Sequence, residues 1–142
     1  MKRKFRYLNT DLELIAPHDL TLLTDALAQQ GVLLLHSEEL EEGTWSARFE
    51  TAEPFVSPDQ NIAAMLTAIE ALDEASKTRW MSCTARAFDL GYDCGDEPFG
   101  FNHEISTEII GRIAAASMSI QITLYPAEAL SSDSGAQVSP PK

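Results

Sequence analysis

The chain has 142 residues, 22 of them acidic and 10 basic, for a formal net charge of −12 at pH 7 and a sequence pI near 4.5. That length suits one domain around one core, and 44% hydrophobic residues are enough to fill it. So acidic a body repels phosphate backbones, which argues against sequence-independent nucleic-acid binding. No apolar run approaches the roughly 20 residues of a membrane helix. The basic start, Lys2, Arg3, Lys4 and Arg6, is followed by no apolar signal-peptide segment. Cys83 and Cys94 are too few for a disulfide framework. The expectation is a soluble, cytoplasmic protein with no membrane contact.

Residues 4–15 alternate at their end, Leu12 and Leu14 against Asp11 and Glu13, as a half-buried strand does. Leu20, Leu23 and Leu27 then recur at helical spacing, and Gly31 supplies the stop. Val32–Leu35 reads as a strand, residues 37–43 as a charged loop too long for a tight turn, and Trp45, Ala47 and Phe49 as the returning strand. Ser57-Pro58-Asp59-Gln60 has the residues of a capped helix start. The apolar stripe Ile62, Met65, Leu66, Ile69 and Leu72 predicts one helix fading by residues 77–80. From Cys83 a strand runs to about Tyr92, with Arg86, Phe88, Leu90 and Tyr92 on one face. Ser106 can cap a further helix, with Ile105 stapled to Ile110. Ile120, Ile122 and Leu124 alternate along a last strand. The small, polar, Pro-containing stretch 127–142 predicts a flexible tail.

The order β-α-β-β-α-β-α-β implies an α+β domain over residues 1–126. Its expected centre is a ferredoxin-like β-α-β-β-α-β unit, extended by a C-terminal helix and strand, with helices on one face of a mostly antiparallel sheet.

Chemistry-bearing residues concentrate in 83–108. Asp93, Asp96, Glu97 and Glu104 could supply oxygen ligands to a hard cation, but their spacing matches no calcium loop; a metal-assisted hydrolase would instead draw its ligands from Asp93, Asp96, His103 and Glu104. Cys83, Cys94 and His103 lack the paired spacing of a zinc site. Neither thiol has an identifiable orienting partner beside His103, and no nucleophile elbow or phosphate-binding glycine loop is present. Cys83, inside a strand, reads as a small buried apolar residue. No cofactor is implied. Two segments suggest binding instead. Glu38, Glu39, Glu41 and Glu42 surround Leu40 as an electrostatic docking edge, although such runs are most often simply solvated. Tyr92, Phe99 and Phe101 stand among Asp93, Asp96 and Glu97, the composition of a contact loop; the plainer account is that these aromatics close the core.

Trp80 through Pro126 carries W-x5-R-x-F-D-L-G-Y (Trp80, Arg86, Phe88–Tyr92), a PFGFN loop (98–102), I-S-x-E-I-I-x-R-I-A (105–114) and S-I-Q-I-T-L-Y-P (119–126). This third of the chain is similar to small acidic bacterial α+β domains of unknown function, some regarded as immunity proteins encoded beside polymorphic toxins. The matching residues are fold-determining, so the resemblance brings no site residues with it. It implies an uncharacterised binding domain and identifies no ligand. With the −12 charge, the lack of a catalytic motif and the acidic, aromatic loops, the expectation is a non-enzymatic immunity or regulatory protein that covers a basic protein surface, as a monomer or homodimer. The alternative is a metal-assisted hydrolase using residues 89–108.

Overall fold

A computed structural model describes residues 2–126; the predicted tail at 127–142 lies outside the described residues. The element order is β1 (Arg6–Ala16), α1 (Thr21–Ala28), β2 (Val32–Glu41), β3 (Thr44–Thr51), α2 (Pro58–Glu70), α3 (Glu74–Met81), β4 (Ala85–Asp93), α4 (Thr107–Ala115) and β5 (Ser119–Tyr125). The protein is α+β, with an open five-stranded sheet ordered β2-β3-β1-β4-β5. All pairings are antiparallel except β4 with β5.

Alternation decides the two faces of the sheet. Leu12 and Leu14 of β1, Ala47 and Phe49 of β3, and Phe88 and Leu90 of β4 are buried in one cluster. The same cluster takes Leu23 and Leu27 of α1, Ile62, Met65 and Leu66 of α2, Trp80 of α3, and Ile109 and Ile113 of α4. Asp11, Glu13, Arg48 and Asp89 therefore fall on the opposite, helix-free face.

Three sequence expectations need correction. The single helix over 58–80 is two. Asp73 takes an extended conformation and its carboxylate accepts the Ser76 amide at 2.8 Å, starting α3. Capping of a second helix here outcompetes continuation of the apolar stripe. The charged loop at 37–43 is strand and tight turn: β2 runs to Glu41, and Gly43, at φ +83°, lets the chain reverse between Glu41 and Thr44. Ile110 is 43% exposed, while its neighbours Ile109 and Ile113 enter the core. The caps at Ser57 and Ser106 form as expected, accepting the Gln60 amide at 3.3 Å and the Ile109 amide at 3.2 Å.

Candidate functional site

The sheet register separates the two predicted binding segments. Trp45, three residues past Glu42, pairs with Ala16 at the C-terminal end of β1. Asp93 pairs with Arg6 at its N-terminal end. Eleven residues of β1 lie between these ends, roughly 33 Å at strand rise, and the hairpin is on the far side of β1 from β4. Glu38, Glu39, Glu41 and Glu42 thus form one surface, and Tyr92, Asp93, Asp96, Glu97, Phe99 and Phe101 belong to another.

The loop following β4 is fastened by the chain's own basic start. Arg6 Nη2 lies 2.8 Å from Asp93 Oδ2 and Lys4 Nζ 3.3 Å from Glu97 Oε2. The Arg3 amide donates to Asp96 Oδ2 at 3.2 Å. Backbone bonds tie the same strap: the amides of Asp96 and Glu97 donate to the Arg3 carbonyl, and the Phe5 amide to the Glu97 carbonyl. Gly95 is required for this approach, since a Cβ there would lie 2.5 Å from the Lys4 carbonyl carbon. The basic N-terminus, which has no evident role in the sequence, thus supplies counter-charges to Asp93 and Glu97 and a backbone donor to Asp96.

Behind the strap an aromatic cluster closes the end of the core. Phe5 stacks on Phe101 at 5.2 Å between centroids, and Phe101 meets Tyr92 at 5.8 Å edge-on. His103 lies 5.0 Å from Phe101, 5.4 Å from Tyr92 and 5.7 Å from Tyr7. Its Nδ1 is 3.3 Å from the Tyr92 hydroxyl. Burial raises the Tyr92 phenol above its ordinary range, with the Tyr7 hydroxyl pushing the same way. The Tyr7 hydroxyl pairs with Thr10 and accepts from Asn61 Nδ2 at 2.7 Å. Asn61, 1% exposed, also accepts the Phe55 amide at 2.7 Å and donates to the Phe55 carbonyl at 2.9 Å. Tyr92 and Phe101 are therefore engaged internally, whereas Phe99 is fully exposed. Asp93 and Asp96 serve the strap and His103 the aromatic cluster; among the described residues no group of His, Cys, Asp and Glu is arranged to hold a metal ion.

The glutamate hairpin has the opposite character. His36 Nε2 is 3.1 Å from Glu38 Oε1, and Glu39 Oε2 accepts the Gly43 amide at 3.0 Å, steadying the turn. Among the described residues no Lys or Arg pairs with any of the four glutamates. Leu33 and Leu35 on the same edge strand, and Leu40 between the acids, are 42–50% exposed. The surface joins unneutralised carboxylates to exposed leucine side chains.

Two further features escape sequence reasoning. On the helix-free face, Arg48 lies 3.3 Å from Asp11, 3.4 Å from Glu13 and 3.1 Å from Asp89. Asp89 also accepts from Thr123 Oγ1 at 2.7 Å, and Asp11 from Asn9 Nδ2 at 3.0 Å. Burial raises the Asp11 carboxyl above its ordinary value despite Arg48. One guanidinium against three carboxylates leaves this face negative. Alternation puts each residue on this face, but only the register brings residues 37 and 41 positions apart together. Between α2, α3 and α4 lies a surface cleft of about 350 Å³ with Ile69, Trp80 and Ala116 in its lining. Arg112 clamps Glu70 at its edge through two bonds of 2.8 and 2.9 Å. This pairing holds the Glu70 carboxyl below its usual range.

Comparison with protein-family models, curated proteins and solved structures finds no match to this chain.

Proposed function

We propose that this chain is a non-enzymatic binding domain that docks on a basic protein surface through the β2–β3 hairpin. One observation carries the reading: among the described residues Glu38, Glu39, Glu41 and Glu42 are exposed without a Lys or Arg partner, beside exposed leucines, while in the other acidic segment Asp93 and Glu97 are paired with Arg6 and Lys4. Uncompensated charge at a rim accelerates encounter with an oppositely charged partner, and adjacent apolar side chains slow its departure. The resemblance of residues 80–126 to immunity-type domains agrees with a protein that acts by covering another. The first four strands form a ferredoxin-like unit on this reading, supported by the order β2-β3-β1-β4 with every neighbour antiparallel. A cytoplasmic setting is part of the proposal, consistent with two free thiols.

The test is a parallel pull-down from nuclease-treated host lysate with the wild-type chain and a variant carrying Glu38→Gln, Glu39→Gln, Glu41→Gln and Glu42→Gln. The expected result is a basic protein retained in near-equal amount by the wild type, released by salt and lost from the variant. Retention of the same proteins by both baits, or of none by either, overturns the hairpin as a docking surface.

A further inference from the structure

The two edges of the sheet differ in construction. β2 carries His36, Glu38, Glu39 and Glu41 and breaks register twice, at Leu34/His36 and Glu39/Glu41. Charges and bulges of this kind prevent another strand from adding. β5, of sequence SIQITLY, has no charge and no proline, and its pairing with β4 runs from Ser119 to Tyr125 without a break. We propose that a second copy of this chain covers this edge, β5 pairing antiparallel with β5 about a twofold axis to form one continuous ten-stranded sheet. The inference does not depend on the role of the hairpin.

The backbone sets the register. The Cys94 amide donates to the Tyr125 carbonyl at 2.9 Å, so the polar groups of Tyr125 face β4. Alternation then turns the amides and carbonyls of Ile120, Ile122 and Leu124 toward the open edge. A twofold axis centred on Ile122 overlaps all of β5. It sets Ile122 against its own copy and Ile120 against Leu124 of the second copy, forming about six hydrogen bonds.

Side chains agree with that arrangement. Ile122 and Leu124 stand beside Leu90 and Tyr92, on the same face of the sheet. Leu90 and Tyr92 are 1% and 7% exposed, but Ile122 and Leu124 are 61% and 60% exposed, so the core covers β4 and, on β5, only Ile120 packs against it. The pairing extends this overhang with the same apolar residues from the second copy, and on the other face Gln121 meets Thr123. Cross-strand pairs of these types stabilise a ladder. Charge selects the edge. Two bodies of −12 each approach at least cost where neither carries charge. Joining the β2 edges instead would oppose glutamates to glutamates.

Sedimentation equilibrium of the full chain from micromolar to millimolar concentration reads the mass directly. It should rise from 15.6 kDa toward twice that value. Ile122→Lys alters an exposed side chain and places two cations across the axis, so it should halve the mass and leave the far-ultraviolet circular dichroism unchanged. Ile122→Cys, with Cys94→Ser, should oxidise to a linked dimer, since facing Cα atoms about 5.5 Å apart lie within disulfide reach. A single-chain mass at every concentration, as expected if residues 127–142 or another protein occupied the edge, overturns the proposal. So does a dimer that persists in Ile122→Lys with no cross-link in Ile122→Cys. Should the lysine variant fail to fold, the cross-link decides: a linked dimer supports the interface and an unlinked chain refutes it.

Discussion

Two acidic segments of similar composition have opposite fates in this fold. Asp93, Asp96 and Glu97 meet the basic N-terminus across the β1–β4 pairing and become part of the scaffold. Glu38, Glu39, Glu41 and Glu42 sit on an edge hairpin that no basic segment of the described chain reaches. Charge density alone does not mark a docking surface. What matters is whether the topology delivers a counter-charge, because a neutralised carboxylate no longer attracts a partner from a distance.

The contrast can be broken first at Gly95. Placing a Cβ 2.5 Å from the Lys4 backbone forces strap and loop apart, and overpacking against backbone costs about 2–3 kcal/mol. Gly95→Ala should lower Tm by roughly 6–10 °C, whereas alanine at any hairpin glutamate should shift it little. An unchanged Tm would mean that the strap does not contribute to global stability. Charge changes sharpen the contrast more gently. Lys4→Glu with Arg6→Glu removes two exposed ion pairs and adds repulsion, for a loss of about 1–2 kcal/mol that shrinks in high salt. The four-fold glutamine variant of the hairpin should remain within about 0.5 kcal/mol of wild type in denaturant titration. A hairpin variant that loses more than the strap variant would reverse the assignment of scaffold and surface.

Local features of this fold were legible in the chain, and long-range ones were not. Ser57 and Ser106 announce their helices because a cap satisfies amides three residues away. Asp73 has the same chemistry, yet the apolar stripe running to Leu72 hides it among plausible helical residues. The turn at Glu42-Gly43 is obscured because glutamates disfavour strands in general, whereas here β2 is an edge strand with its side chains in water. The strap joins positions about 90 apart in sequence, and the Arg48 cluster draws on β1, β3 and β4. No spacing rule encodes either. The aromatic loop was half legible: its composition signalled rings in contact, but the rings of Tyr92 and Phe101 contact Tyr7, Phe5 and His103 of the same chain.

The smallest effects distinguish the strapped loop from the interior beneath it through the two thiols. Cys94 follows β4 within the strapped loop and is partly exposed; Cys83 is 5% exposed with its thiol donating to the Arg79 carbonyl at 3.6 Å. Burial pushes the Cys83 thiol up to about 11, with Arg86 opposing. A maleimide should therefore modify Cys94 first, and Gly95→Ala should speed Cys94 while leaving Cys83 slow. The sign of the pH effect follows from the raised value. The folded state holds the Cys83 proton more tightly than the unfolded chain, whose thiol titrates near 9. Its contribution to stability is complete below that pH and is lost as pH climbs toward 11. Comparing wild type with Cys83→Ala in urea from pH 8 to 11 isolates this contribution from the lysines and tyrosines that titrate in both. The wild type should lose stability more steeply over that range, and parallel curves would show that the buried thiol does not govern the alkaline limb.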